Sequence, residues 1–553
     1  MEIGVLNEAK TYSGGLGVLA GDTIRSAADL KLPIVAVTLV MKKGYFTQEL
    51  TEDGTQVEKS AEWDPSKFMT LLPEKAHIHL DGRKVLVQAW LYIQKSLTEG
   101  QVPMLFLDTD VEGNDPEDRT ITDRLYGGDD RYRLKQEAVL GMGGVRMLRE
   151  LGFEVKKYHM NEGHASLLTI ELLKEYKRDI EEVWDEDLVW DVEKIKELCV
   201  FTTHTPVAAG HDKFDYGLVA EVLGELLPPH ILRKLAGQDN LNMTLLGLNL
   251  SEYVNGVAKK HMEVSQSMFP GYKISAITNG VHSYTWTCES MKRLFDKYLP
   301  GWANEPELFV RIGRIPDEEL WEAHMEAKRK LIDFVNEQTG AAMDYDTLTF
   351  GFARRATAYK RAPLLFHNAD RLLEATGGKL QVIYAGKAHP RDIPGKENIR
   401  LIFRRMRELE NRMKIVYLPG YDMRLALDLV SGVDVWLNTP QRPHEASGTS
   451  GMKAAHNGVV NFSVLDGWWI EGHIEGYTGW SIGSAPTEVS LDENSDEQDA
   501  KDLYRKLEEN IIPSYYDNRH IWIRMMQNAI GKNAYYFNTH RMMRRYVTEA
   551  YIR

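Results

Sequence analysis

A two-domain α/β protein with mostly parallel sheets is predicted by three features: chain length, alternating element patterns, and polar residues gathered at strand ends. At 553 residues the chain exceeds what one hydrophobic core sustains, so two large domains are the default. Short β-branched runs at 32–41, 198–204, 274–280, 380–386 and 413–420 each end in a turn signal. Helix-like runs lie between them, such as RLKQEAVLGMGGVRMLREL and DEELWEAHMEAKRKLIDFVNEQ. Strand and helix in alternation argue for crossover units around a parallel sheet. The helical run at about 316–340 separates two strand-bearing halves, and the change of domain is expected near 284–290, giving domains 1–285 and 286–553.

Charge and cysteine usage narrow the class. The formal net charge of −14 argues against nucleic acid or an anionic membrane as the main partner. Two cysteines, Cys199 and Cys288, make no disulfide framework and no metal knuckle. The first residues, MEIGVLNEAKTYSGG, lack the apolar run of a signal peptide, and no stretch of ~18 apolar residues would cross a bilayer. A soluble, cytoplasmic protein is therefore expected. The acidic run LDENSDEQDAKD at 491–502 is expected to be a solvated loop.

Ligands of open α/β sheets sit beyond the carboxyl ends of strands, and the loops there are rich in candidates. YSGGLGVLAG at 12–21 has glycines that let backbone approach an anion. Gly15, Gly17 and Ala20 also fit a dinucleotide fingerprint, but the acidic residue expected about twenty positions on is missing from LVMKKGYF. A tight turn opening a helix is the plainer alternative. GFARRATAYKRA at 351–362 concentrates Arg354, Arg355, Lys360 and Arg361 in an acidic protein, either as donors to phosphate or as a solvated basic face. Polar residues recur at other strand ends: Asn161, Glu162 and His164 in MNEGHAS, His204 in TTHTP, Asn279 and His282 in TNGVHS. His159 and His164 with Glu162 lack the i, i+4 spacing of a helical zinc site, so no metal is expected.

The most telling stretch is HEASGTSGMKAAHNG at 444–458. A short apolar strand precedes it, a glycine-rich turn follows, and MKAAHNG reads as a helix start with an Asn-Gly stop. Such a turn favours a bound phosphate. Lys453 within it can clamp that phosphate, carry a surface charge, or condense with an aldehyde.

Together these motifs resemble those of the α-glucan phosphorylases, the family of glycogen, starch and maltodextrin phosphorylases, in a short form. EASGTSGMK resembles the family's cofactor motif and RRATAYKR its substrate-phosphate motif, while SGGLGVLA, MNEGHA, TTHTP and TNGVH match its substrate-side loops in the same order. GKAHPRD and the terminal NAYYFNTHRMMRRYVTEAY fit as well. Related glucosyltransferases that use nucleotide sugars carry a second Glu where this chain has Lys453, with seven residues between it and Glu445. An amine there removes the acceptor for the donor's ribose and supplies an anchor for an aldehyde.

The resemblance implies a GT-B fold, with two Rossmann-like domains facing a cleft and a C-terminal helix returning to the N-terminal domain. It implies phosphorolysis of terminal α-1,4-linked glucose by inorganic phosphate, giving glucose 1-phosphate with retained configuration. Lys453 would hold pyridoxal 5′-phosphate, with Thr449, Ser450, Gly451 and Arg354 near the cofactor phosphate. Arg355, Lys360 and the backbone at Gly14 and Gly15 would bind the substrate phosphate. His204 and Asn279 would hold the glucose 6-hydroxyl, and Tyr359 and Glu445 the 2- and 3-hydroxyls, beside the Ser447–Gly448 backbone. His164 belongs to the same substrate side, and the His204 carbonyl would face the developing positive charge. Partners are α-glucan, phosphate and glucose 1-phosphate, with the oligomeric state open. Only thirteen residues precede Gly14, so the N-terminal regulation of long family members is not expected. The Ser-Gly pair before Met452 and Glu162 in place of an aspartate depart from the long members. A nucleotide-sugar glucosyltransferase and a glucan-binding protein without catalysis remain the alternatives.

Overall fold

The computed structural model describes residues 1–207, 210–484 and 495–552. Two compact units emerge, Met1–Phe46 with Ser60–Thr278 and Met543–Arg553, and Thr47–Lys59 with Asn279–Met542. These bounds differ from the expected 1–285 and 286–553 at three places. Residues 279–285 lie with the second unit, as does the hairpin Thr47–Lys59, and the chain's last helical segment lies with the first.

In the first unit, strands Tyr158–Asn161, Cys199–Thr202, Tyr253–Gly256 and Ser275–Ala276 form a parallel sheet in chain order. The terminal segment docks here through its tyrosines. Tyr551 pairs with His159 Nδ1 at 2.7 Å, and the Tyr546 hydroxyl accepts from Asn255 Nδ2 at 3.0 Å. A second sheet was not expected. Thr70–Leu80, Arg83–Lys95 and Gln101–Asp108 run antiparallel, with Ala36–Leu39 added parallel at the edge. Asp81 and Gly82, both at positive φ, close its first hairpin as an Asp-Gly turn.

The second unit carries the expected parallel sheet in full. Its six strands run in the order Lys414–Leu418, Leu380–Ala385, Leu348–Ala353, Val435–Asn438, Val460–Val464, Gly479–Ile482. Numbered by their appearance in this sheet, that order is 3-2-1-4-5-6, the doubly wound arrangement. Every residue of Leu348–Ala353, Leu380–Ala385 and Val460–Val464 is buried, as strands covered by helices on both faces require. Asp317–Thr339 is one long helix that buries Leu320, Leu331, Ile332 and Val335 and ends at Gly340 in the left-handed conformation.

The acidic run does not stay a loop. Residues 491–494 lie outside the described residues, but Ser495–Lys506 is a helix, and Asp499 is buried against Arg361 at 2.6 Å and Arg442 at 2.8 Å. Buried cations supplied from elsewhere in the fold override the polarity of the local sequence. Among the described residues no helix is long and apolar enough to cross a membrane.

Candidate active site

A doubly wound sheet opens at the point where strand order reverses, because the crossovers on either side diverge there. In the second unit that point lies between Leu348–Ala353 and Val435–Asn438. The two motifs singled out from sequence leave these two strands: RRATAYKR begins at Arg354, and the turn leading to Lys453 follows Asn438.

They meet at Glu445. Its Oε2 accepts from Arg354 Nη2 and from Lys360 Nζ, both at 2.6 Å. Burial opposes ionisation of this carboxyl, but the Arg354 and Lys360 cations outweigh it and hold its pKa at about 2. Lys360 is buried and lies over the Tyr359 ring at 4.5 Å. Arg355 is exposed and lines a small pocket together with Arg354 and Lys360. Arg361 points elsewhere, to Asp496 and Asp499, and is structural.

The turn itself is held from behind. Asp466 Oδ2 accepts the Glu445 N–H at 2.9 Å, and Trp468 N–H donates to the Ser447 carbonyl at 2.8 Å. Gly467 is required there, since a Cβ would stand 2.2 Å from the Ser447 carbonyl oxygen. Burial raises the Asp466 pKa to about 7, with the Glu445 charge adding to it against the N–H groups that favour the anion. Gly448 takes φ +70°, which brings the turn against Glu445 and Arg354. Thr449 then precedes the helix Ser450–His456 without a side-chain capping bond, and the Ser450 hydroxyl accepts from Trp436 Nε1 at 3.0 Å. Lys453 is buried in that helix, its ammonium 3.8 Å from the Trp286 ring centroid. Asn457 fixes this pairing by donating to the Trp286 carbonyl at 2.7 Å and accepting from Cys288 N–H at 2.8 Å. Asn279 belongs to the same unit and is buried, with Oδ1 lacking a hydrogen-bond partner and its carbonyl accepting from Arg541 at 2.9 Å.

The first unit holds the remaining candidates. Gly15 opens the helix Gly15–Asp29 with Gly14 as its cap, and no strand precedes it, so the dinucleotide fingerprint does not apply. A Cβ at Gly14 or Gly15 would meet nothing within 4 Å, so protein packing does not demand these glycines. Glu2, buried, shapes the loop by accepting the Ser13 and Gly14 N–H groups while the Tyr126 hydroxyl donates to its other oxygen.

Glu162 is the second hub. It sits at φ +69°, a conformation costing roughly 1–3 kcal/mol for a side chain of this kind. Its carboxylate accepts from His204 N–H at 2.8 Å and from the Thr205 hydroxyl at 2.9 Å, fixing the TTHTP loop. His204 Nε2 bonds Asn161 Oδ1, and burial lowers its pKa to about 3, so the ring is neutral near pH 7. His164 lies 3.5 Å from Asp212, and burial likewise keeps it neutral. His159 is committed to Tyr551 and Thr202.

The site residues that sequence reasoning passed over are Trp286, Asp466 and Glu2. Each acts through spatial proximity, and only the Asp466–Gly467 pair left a local signal, an Asp-Gly turn after an apolar run.

Two loops, one cationic and one glycine-rich with a buried lysine, thus leave the strands at the switch point of a doubly wound sheet, the arrangement of an α/β protein with its ligand site at the carboxyl ends of its strands. Comparison with known proteins makes this specific. Residues 229–509 match the model of the carbohydrate phosphorylase family. Over its whole length the chain is 40% identical to a maltodextrin phosphorylase of Thermococcus litoralis, covering 70% of it. It is 35% identical to a glycogen phosphorylase of Aquifex aeolicus, covering 85%, and 36% identical to one of Mycobacterium tuberculosis, covering 70%. The chain belongs to the carbohydrate phosphorylase family.

Proposed function

We propose that this protein catalyses phosphorolysis of α-glucans, with the second unit binding cofactor and phosphate and the first contributing to the glucose site. The observation that carries the reading is the convergence of Arg354, Lys360 and the turn of Lys453 on Glu445 at the switch point. In the reaction the C1–O bond to the terminal glucose breaks, a C1–O bond to phosphate forms on the same face, and the phosphate proton passes to the departing 4-hydroxyl. A nucleotide-sugar donor is not favoured, because Lys453 stands where a ribose-binding carboxylate is needed.

The residues fit pyridoxal 5′-phosphate. Arg354 Nη1, Thr357 Oγ1 and Ser447 Oγ are buried without hydrogen-bond partners. Each such atom costs about 1–3 kcal/mol, so three in two adjoining loops match a bound group that supplies the missing partners. Lys453, whose ammonium lies over Trp286, would hold the cofactor, and Arg354, Thr449, Ser450 and Gly451 would bind its phosphate. When bound, that phosphate supplies an acid–base group beside the substrate phosphate.

The chain's own residues do the rest. Arg355 and Lys360 would bind the attacking phosphate. Glu445, kept ionised, and Tyr359 would accept from glucose hydroxyls, as would His204 and Asn279 on the 6-hydroxyl. Neutral His204 accepts without adding a charge that would oppose the cationic transition state.

The near-ultraviolet spectrum of the purified protein tests the reading. A cofactor absorption band is expected in the wild type and not in Lys453→Ala. A fully active wild type without that band would overturn it.

A further inference from the structure

Outside the motifs, one feature of the second unit reaches the phosphate loop from a distant part of the chain. The hairpin of Thr47–Leu50 and Gln56–Lys59 packs at the carboxyl ends of strands Leu380–Ala385 and Lys414–Leu418. Its two inward residues are glutamines, Gln48 and Gln56, buried to 3% and 5% exposure. Apolar residues would suffice to cover a sheet edge. Buried amides there are costly unless paired, so their partners carry the meaning.

Their partners are largely backbone. Gln56 makes a reciprocal pair with the backbone of Ala388, accepting its N–H and donating to its carbonyl, both at 2.9 Å, and also donates to Glu58 Oε1 at 2.8 Å. Gln48 donates to the Gly386 carbonyl at 2.9 Å and accepts from Gly420 N–H at 3.0 Å, and also donates to Gln56 Oε1 at 2.9 Å. The two side chains thus replace, for residues 386–388, the ladder that a further strand would provide.

That segment in turn sets the cationic motif. Lys387 accepts the Ala356 N–H at 2.9 Å, and Ala385 accepts that of Arg354 at 3.3 Å. Gly386 takes φ +142°, and a Cβ on it would lie 1.9 Å from the Arg354 carbonyl oxygen. The contact leaves no slack between the two loops. The path runs from glutamine to residues 386–388 to the backbone of 354–356.

We propose that Gln48 and Gln56 are positioning residues for the phosphate-binding motif, holding Arg354 and Arg355 in register through the 386–388 segment. The proposal rests on the assignment of that motif to phosphate. It requires that loosening the glutamines move phosphate recognition more than glucan recognition.

The test uses the purified holoenzyme with Gln56→Leu and Gln56→Glu, the latter keeping the acceptor for Ala388 N–H, and with Lys59→Ala as control. Lys59 pairs with Glu49 on the exposed face of the same hairpin at 2.6 Å. Hydrogen exchange is read first, because it does not depend on the reaction. Both glutamine variants should lose protection at the amides of 354–356 and 386–388, with the helix Ser450–His456 unchanged. Kinetics follow, with inorganic phosphate and maltodextrin varied separately. The KM for phosphate should rise roughly 5- to 100-fold and that for glucan by less than about twofold. Lys59→Ala should match the wild type in both. Unchanged exchange at 354–356 overturns the proposal, as does an equal loss for both substrates or a kcat loss with KM for phosphate intact. Altered exchange in a protein whose wild type consumes no phosphate would sink the functional reading while leaving the positioning path in place. If Gln56→Leu fails to fold, Gln56→Glu carries the same readings.

Discussion

Glu445 and Asp466 face each other across one peptide N–H, and their environments push them in opposite directions. Glu445 has two cations on one oxygen, while Asp466 has burial and a neighbouring anion. The consequences for stability have opposite signs. The lowered Glu445 pKa contributes stability above its ordinary 4.5, which is lost as pH falls from there toward about 2. The raised Asp466 pKa means the folded state holds a proton that the unfolded state releases, so stability falls as pH rises from 3.8 to about 7. Asp466→Asn removes only that second dependence. The difference in thermal midpoint between variant and wild type should therefore shift in the variant's favour between pH 5 and pH 8, whatever fixed cost the lost acceptor brings. A difference independent of pH would mean that Asp466 is ionised throughout and that its two N–H donors outweigh burial.

At the scale of elements, the helix Ser495–Lys506 shows what an acidic stretch becomes when buried cations await it. Asp499 neutralises Arg361 and Arg442, which lie beside the ends of the strands flanking the switch point. Asp499→Ala would leave those guanidinium groups buried with one counter-charge fewer, a loss of roughly 3–5 kcal/mol. Thermal unfolding should show a clearly lower midpoint, and no change would mean that solvent screens the pairs. The same helix marks a limit of reading from sequence, because nothing local to DEQDAKD announces arginines more than fifty residues away. The parallel strands were legible, since fully buried strands are continuous apolar runs bounded by turns. The antiparallel sheet at 70–108 escaped because its strands mix polar and apolar residues, although HIHLDGRKVLV carried an Asp-Gly turn between alternating segments. Likewise Lys453 and Glu445 stood out within one motif, whereas Trp286, Asp466 and the hairpin glutamines gain meaning only when distant segments fold together.

Across the whole molecule, the polypeptide passes four times between the two units, at 46/47, 59/60, 278/279 and 542/543. Cofactor and phosphate candidates gather in the second unit, while His204, His164 and the Gly14–Gly15 loop belong to the first. Phosphate recognition is thus assigned chiefly to a motif of the second unit, which also carries the glucose candidate Tyr359 and bonds Glu445 through Lys360. Lys360→Ala removes a charge-assisted contact worth about 1.5–3 kcal/mol and leaves Arg354 as the one cation on Glu445 Oε2. The direct measurement is the initial rate of glucose 1-phosphate formation from maltodextrin as inorganic phosphate is varied, for wild type and Lys360→Ala. The account predicts phosphate-dependent release by the wild type and, in the variant at limiting phosphate, a rate lower by roughly tenfold to more than a hundredfold. Glucose 1-phosphate formed with the same phosphate dependence in both proteins, or no phosphate-dependent release by the wild type, would contradict it.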